Sequence, residues 1–234
     1  MHALQKELKK YSSPDRKRIS MRFFKTGKGQ YGEGDQFIGV TVPDTRKVVK
    51  PFAEISFVEL ASILDSPIHE ERMAALLILV EKYAKAKEEK TKKEIVDFYL
   101  KHRAAINNWD LVDLSAHQIL GHFLLKKDRK VLYQYAQSKN LWERRMAVVA
   151  TFAFIRQNQF EDTFTISEML LHDREDLMHK ACGWMLREVG KRDEKALESF
   201  LNTHVNKMPR TMLRYAIERF PESKRKMYLM AKAE

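Results

Sequence analysis

The chain has one cysteine, Cys182, so it cannot form an internal disulfide or a cysteine-based zinc cluster, and a reducing cytoplasm is the expected compartment. Long apolar runs are also missing. The longest, Met73 to Val80, is far too short to cross a bilayer, and the first six residues, Met1-His2-Ala3-Leu4-Gln5-Lys6, lack an apolar signal core. The expectation is a chain that is neither exported nor membrane-bound. Strand signals are almost absent: Phe37-Ile38-Gly39-Val40-Thr41-Val42 is the one β-branched run, and Pro43 after it suits the first turn of a helix. The histidines form no metal motif. His117 and His122 are five residues apart, His69, His172 and His179 stand alone, and no HExxH occurs, so neither metal nor cofactor is expected.

What the chain has in excess is positive charge. Its 43 Lys and Arg against 32 Asp and Glu leave a net charge of +11. With a pI near 9.6, polyanions become the leading class of partner, nucleic acid first and an anionic membrane surface second. A hydrophobic content of 44% over 234 residues argues for a folded chain, either one domain or one continuous repeat array.

Hydrophobic residues recur with a 3.6-residue period over 71–83, 93–102, 109–125, 142–155, 177–189 and 210–220, so the fold class is all-α. Four of these segments share a start in which a cation precedes a small residue: Arg72-Met73-Ala74, Arg145-Met146-Ala147, Lys180-Ala181-Cys182 and Arg214-Tyr215-Ala216. Arg72 and Arg145 are 73 residues apart, Trp109 divides that interval into 37 and 36, and the next steps are 35 and 34. Such spacing predicts stacked two-helix repeats with a concave face for a partner. The expected organisation is a single domain over 1–234, with irregular N-terminal helices, a Gly-rich loop at 26–39 and repeats over about 43–230.

Five of the eight glycines fall between Thr26 and Gly39. Gly27-Lys28-Gly29-Gln30-Tyr31-Gly32 matches a dinucleotide-binding fingerprint by letter, but that motif needs a strand before the glycines and a helix directly after them, and a basic helical segment precedes them here. A flexible basic loop able to approach a phosphate backbone fits better, with a plain linker as the alternative.

Three constellations carry candidate chemistry. In Asn107-Asn108-Trp109-Asp110-Leu111-Val112-Asp113, an Asn caps a helix that sets Trp109 and Asp113 four residues apart on one face. An aromatic face and a carboxylate both attract a cation, although a core Trp with acids favoured by the helix dipole would look the same. In Leu141-Trp142-Glu143-Arg144-Arg145-Met146-Ala147, Arg145 with Arg144 beside it could clamp a phosphate, or form a salt bridge between repeats, with Glu143 or Asp113 as candidate partners. In Lys180-Ala181-Cys182-Gly183-Trp184-Met185-Leu186-Arg187-Glu188, Gly183 allows close approach of a backbone or a ligand beside Trp184, itself a candidate for site or core.

Taken together, Asn-Trp-Asp-x-Val-Asp at 108–113, Trp-x-x-Arg at 142–145 and Gly-Trp-x-Leu-Arg-Glu at 183–188 resemble the HEAT-like-repeat alkylpurine DNA glycosylases of the AlkD type. The resemblance extends from Arg22-Phe23-Phe24-Lys25 and Phe37-Ile38-Gly39 through the last repeat. It implies a right-handed-stacked HEAT-like α-α superhelix with a concave basic face. It also implies a monofunctional enzyme that hydrolyses the N-glycosidic bond of cationic alkylated purines, such as 3-methyladenine and 7-methylguanine, in duplex DNA, without drawing the base into a pocket. By the same resemblance Asp113 is the catalytic carboxylate, Trp109 and Trp184 contact the substrate, and Arg145 and Arg144 bind the DNA backbone; a monomer is expected. Phe23 stands where some members carry a tyrosine, and the Gly-rich insertion is longer than usual, two departures that bear on lesion range.

The chemistry is coherent on its own terms. Ordinary glycoside hydrolysis needs an acid for the leaving group and a second carboxylate for the sugar cation. An alkylated purine is already cationic and leaves as a neutral base, so one carboxylate suffices. Two other functions are compatible with charge and repeats: an α-solenoid that binds nucleic acid without catalysis, and a peptide-binding scaffold. Asp113 discriminates against the first, because an acid on an anion-binding face costs affinity.

Overall fold

The computed structural model describes residues 2–230. Its backbone divides between Ser115 and Ala116 into two compact units. The first contains α1 (Ala3–Lys9), α2 (Pro14–Phe23), α3 (Val42–Val49), α4 (Phe57–Leu64), α5 (His69–Lys85), α6 (Glu89–Lys101) and α7 (Trp109–Ser115). The second contains α8 (Lys130–Ala136), α9 (Leu141–Ala150), α10 (Phe152–Ile155), α11 (Glu161–Met169), α12 (Asp176–Arg192), α13 (Glu194–His204), α14 (Arg210–Ala216) and α15 (Glu222–Met230). The all-α expectation holds. Among the described residues the sole β-type pairing outside helices is a bridge between Gln36 and Ile68. The β-branched run ends where Thr41 caps α3 with its side chain and Pro43 occupies the first turn.

Each unit forms a core from paired helices. In the first, α5 packs against α3, α4, α6 and α7, and its middle turns are buried on all sides. In the second, α12 plays this part, packing against α9, α11, α13 and α14. A helix surrounded by others needs apolar or small residues around its whole circumference, and Met73 to Leu79 meet that demand.

The repeat is visible in hydrogen bonds as well as in spacing. Ser66, Ser138 and Asp173 each accept, through the side chain, the N–H two residues on, from Ile68, Asn140 and Glu175 at 3.1, 3.0 and 2.9 Å. The carbonyl of each accepts from a side chain six residues on: Arg72 Nη1 at 2.9 Å, Arg144 Nη1 at 3.0 Å and His179 Nε2 at 2.6 Å. Ser66 and Ser138 further donate to Glu71 and Glu143. The register therefore pairs Arg72 with Arg144 and His179, one position away from the sequence pattern that matched Arg72 with Arg145 and Lys180. A shared Arg-Met-Ala triplet misled the alignment, because turn hydrogen bonds, not local identity, fix where a repeat begins.

The expected helix over 109–125 is broken. After α7 the chain forms a π turn at His117–Gly121, in which Gly121 N–H reaches Ala116 O at 2.9 Å, and then a short 3-10 turn at Leu124–Lys126. A Cβ on Gly121 would lie 2.1 Å from the Ala150 carbonyl, so the glycine lets this turn sit directly against α9. A similar close approach answers the question raised by Gly183. Its missing Cβ would lie 2.5 Å from Met212 O and from Tyr215 Cβ, so the neighbour it admits is the backbone of α14. Gly183→Ala gains helix propensity but forces α12 and α14 apart. A net loss of about 1–3 kcal/mol is expected, read as a lower Tm in thermal melting. An unchanged or raised Tm would show that the helices part without cost.

The Gly-rich segment is an ordered turn built on its own hydrogen bonds, in place of the flexible loop expected. Gly32 N–H bonds to Lys25 O at 3.2 Å, Gly29 N–H to Glu33 at 2.7 Å and Tyr31 O–H to Phe23 O at 3.3 Å. Gly29 and Gly34 have φ of 75° and 89°, which side chains disfavour. A helix precedes the segment and none opens directly after Gly32, so the nucleotide-binding motif has no structural basis.

Candidate nucleic-acid repair site

The first turn of α5 holds four consecutive buried polar residues, His69, Glu70, Glu71 and Arg72, each with its own partners. Glu70 accepts the N–H groups of Ile38, Gly39 and Val40, the closest at 2.7 Å from Gly39. Glu71 accepts from Gln5 at 2.6 Å and from Ser66 at 2.5 Å. Arg72 donates to Asp35 at 2.5 Å and to Asn107 at 3.0 Å. These bonds tie the loop before α3 to the start of α7, because buried charges persist only where partners satisfy them.

His69 lies at the centre of this arrangement. Its Nδ1 is 3.1 Å from Asp35 Oδ2 and its Nε2 is 2.9 Å from Asp110 Oδ2. Burial opposes the charged ring, but the hydrogen bonds to Asp110 and Asp35 outweigh it and raise the imidazole from 6.5 to about 9. Burial likewise works against the Asp35 carboxylate, and His69, Arg72 and Asn108 together still hold it below its ordinary value. With the folded value raised, the stabilisation from His69 is fully present below its unfolded value of 6.5 and is lost as pH rises through about 9. In sequence His69 looked isolated; its partners lie 34 residues before and 41 residues after it.

Trp109 and Asp113 occupy successive turns of α7, both half-buried. Phe24 stacks on the Trp109 indole at 5.3 Å and 21°, and Phe23, which is 62% exposed, meets its edge at 5.8 Å. Asn108 is fully buried at the helix start, accepting Trp109 N–H at 2.9 Å and donating to Asp35 at 2.9 Å. Asp110 is fully employed: Oδ2 faces His69 and Oδ1 accepts Leu111 N–H at 2.8 Å. Sequence reasoning missed His69, Asp35 and Phe24. Only the paired aromatics at 23–24, next to a basic helix, offered a signal.

The second unit carries the remaining candidates on α9 and α12, which pack together. Arg145 is 5% exposed and donates to Leu177 O at 2.7 Å; in the repeat register it takes the place of buried Met73, and its guanidinium finds its partners inside the fold. Arg144 is employed otherwise. It grips Asp173 through Nε at 2.6 Å and Nη2 at 3.3 Å and bonds the carbonyls of Ser138 and Lys139, the structural duty that Arg72 performs in its own repeat. Trp184 is half-buried, with Nε1 3.2 Å from Glu188 and its ring 6.0 Å from Phe152, while Trp142 belongs to the core. Burial, then the charge of Arg156, lowers His117 to about 4, so it is neutral at physiological pH. Burial also pushes the Cys182 thiol up to about 12 and makes it inert.

A basic surface lies beside the Trp109 cluster. α2 has no buried residue, and Lys17, Arg18 and Arg22 line a groove of ≈ 510 Å³ with Pro14, Met21 and the Gly-rich turn. No helix among the described residues is long and apolar enough to cross a membrane.

The family model for DNA alkylation repair enzymes matches residues 4–220. The chain belongs to the DNA alkylation repair enzyme family. Among solved structures, the "Predicted DNA alkylation repair enzyme from Enterococcus faecalis" is similar with a TM-score of 0.69 at 14% identity, covering 90% of this chain and 97% of that one. At that identity the likeness shows the HEAT-like helical fold. No curated protein matches the chain in sequence. Membership of the DNA alkylation repair enzyme family assigns the protein a role in DNA repair, and the polar and aromatic groups around α7 are its candidate chemical centre.

Proposed function

We propose that the chain is a monofunctional DNA N-glycosylase acting on cationic alkylated purines in duplex DNA. The observation that carries this reading is the pairing of Trp109 with Asp113 on α7, with the neighbouring Asp110 committed to His69 and Leu111. Membership of the repair family supplies the DNA context.

The bond between C1′ and the purine nitrogen breaks, and its electron pair neutralises the alkylated ring, so the base leaves without a proton donor. The developing positive charge on the sugar is stabilised by the Asp113 carboxylate, which also orients the water whose oxygen bonds to C1′. The water's proton passes to Asp113 and then to solvent, leaving free base and an abasic site. Trp109 and Trp184 offer aromatic faces to a cation, and Arg145, with the lysines and arginines of α2, contacts phosphates. Both Arg144 and Arg145 also serve the fold, Arg144 through Asp173 and Arg145 through Leu177 O. The protein works as a monomer without metal or cofactor.

Two measurements separate this reading from its alternatives. Affinity for undamaged duplex should fall steeply with salt, and Arg145→Ala should weaken it alike for every sequence, as loss of a phosphate contact does. Salt-independent binding would favour a protein partner. Salt-sensitive binding with no abasic sites formed in methylated duplex would leave a DNA clamp.

A further inference from the structure

We propose that His69 is a positioning residue of this site: by donating from both ring nitrogens to Asp35 and Asp110, it fixes the first turn of α7, so that Trp109 and Asp113 face substrate in one orientation. This deepens the glycosylase reading and rests on it.

Three routes run from His69 to α7. The first is the bond from Nε2 to Asp110, which follows Trp109 in the chain. The second passes through Asp35 to Asn108, whose side-chain oxygen accepts the Trp109 N–H. The third is aromatic: the imidazole stacks on Phe37 at 4.6 Å and 22° and lies 5.0 Å from Phe24, which stacks on the Trp109 indole. Backbone and side chain of Trp109 are thus both held through one buried ring.

Both acceptors of His69 are carboxylates, which have no proton to donate when ionised. A neutral imidazole has one N–H, so it would turn a lone pair toward one of them. Only the doubly protonated ring satisfies both. Charge points the same way: His69 faces Asp35 and Asp110, Arg72 faces Asp35, and the four balance only when His69 is charged. The nearby acids on the same helix turn elsewhere, Glu70 to the amides of 38–40 and Glu71 to Gln5 and Ser66. Deprotonation near pH 9 should therefore loosen the start of α7.

The test uses the full chain and methylated duplex. Single-turnover base release and duplex affinity are measured from pH 6 to 10 for the parent, His69→Gln and Asp110→Asn. In the parent, release should fall above about pH 9 with affinity changing far less. His69→Gln keeps an amide NH2 donor toward one carboxylate, turns its acceptor oxygen toward the other and cannot carry the charge; release about tenfold slower or more is expected, with affinity within a few-fold and no fall in release centred near pH 9. If His69→Gln does not fold, Asp110→Asn decides, because it keeps an acceptor for Nε2 but removes a charge, and should shift the alkaline fall to lower pH. Release and pH profile unchanged in a folded variant overturn the proposal. Independently of catalysis, the Trp109 indole N–H resonance, assigned with Trp109→Phe, should move in His69→Gln and move in the parent as pH passes 9. A stationary resonance rejects the positioning role even if base is released; a moving one in a protein that releases no base upholds the positioning of Trp109 and rejects the glycosylase reading alone.

Discussion

Asp113→Asn is expected to slow release of an alkylated purine by roughly two orders of magnitude or more while keeping the Tm and duplex affinity near those of the parent. The substitution is nearly isosteric and the position is half-buried, so packing on α7 changes little; what is lost is one negative charge. In the proposed mechanism that charge acts where the sugar becomes cationic, in a partly desolvated place where a carboxylate counts for more than in water. Single-turnover release measured beside a binding titration separates the two effects. Near-normal release would remove Asp113 from the mechanism. Asp110 is not a reserve for it, because both of its oxygens are committed to His69 and Leu111.

Discrimination by lesion charge is the second large effect. In the proposed mechanism Trp109, Trp184 and Asp113 all favour a cation, and the groups bonded around α7 that could act as an acid do not fit the part. Asp110 is a bonded carboxylate and His69 is buried between two carboxylates. A neutral base leaves slowly without a proton donor. Duplex carrying 7-methylguanine should therefore lose its base while matched duplex carrying hypoxanthine stays intact at the same pH. Equal rates would require an acid that the mechanism lacks. Trp109→Leu should slow release of the charged base by removing a cation–π contact worth about 0.5–2 kcal/mol while keeping apolar bulk at the site.

The residues that were legible in the sequence share a property: their neighbours on one helix define them. Trp109 and Asp113 are four apart, and the 3.6-residue period identified the helices at 71–83 and 177–189 closely enough to place them, while the one expected over 210–220 ends at Ala216. What escaped was set by distant pairing. The repeat register slipped by one because Arg144 and Arg145 are equally good cations by letter, and only the bond from Arg144 to Ser138 O tells them apart. The helix over 109–125 read as continuous because its periodicity is intact, yet Gly121 and its close contact with Ala150 convert it to a π turn. His69 had no sequence signature, since its partners come from three separate stretches of chain, Phe24, then Asp35 with Phe37, and Asp110.

The most direct measurement is the appearance of free base when the purified protein is incubated with methylated duplex DNA, with the released purines separated and quantified and the strands examined for abasic sites. Free 3-methyladenine and 7-methylguanine, with one abasic site per base released and no strand cleavage beyond that of the abasic site itself, are the expected result. Duplex that is bound but keeps every methylated purine would contradict it.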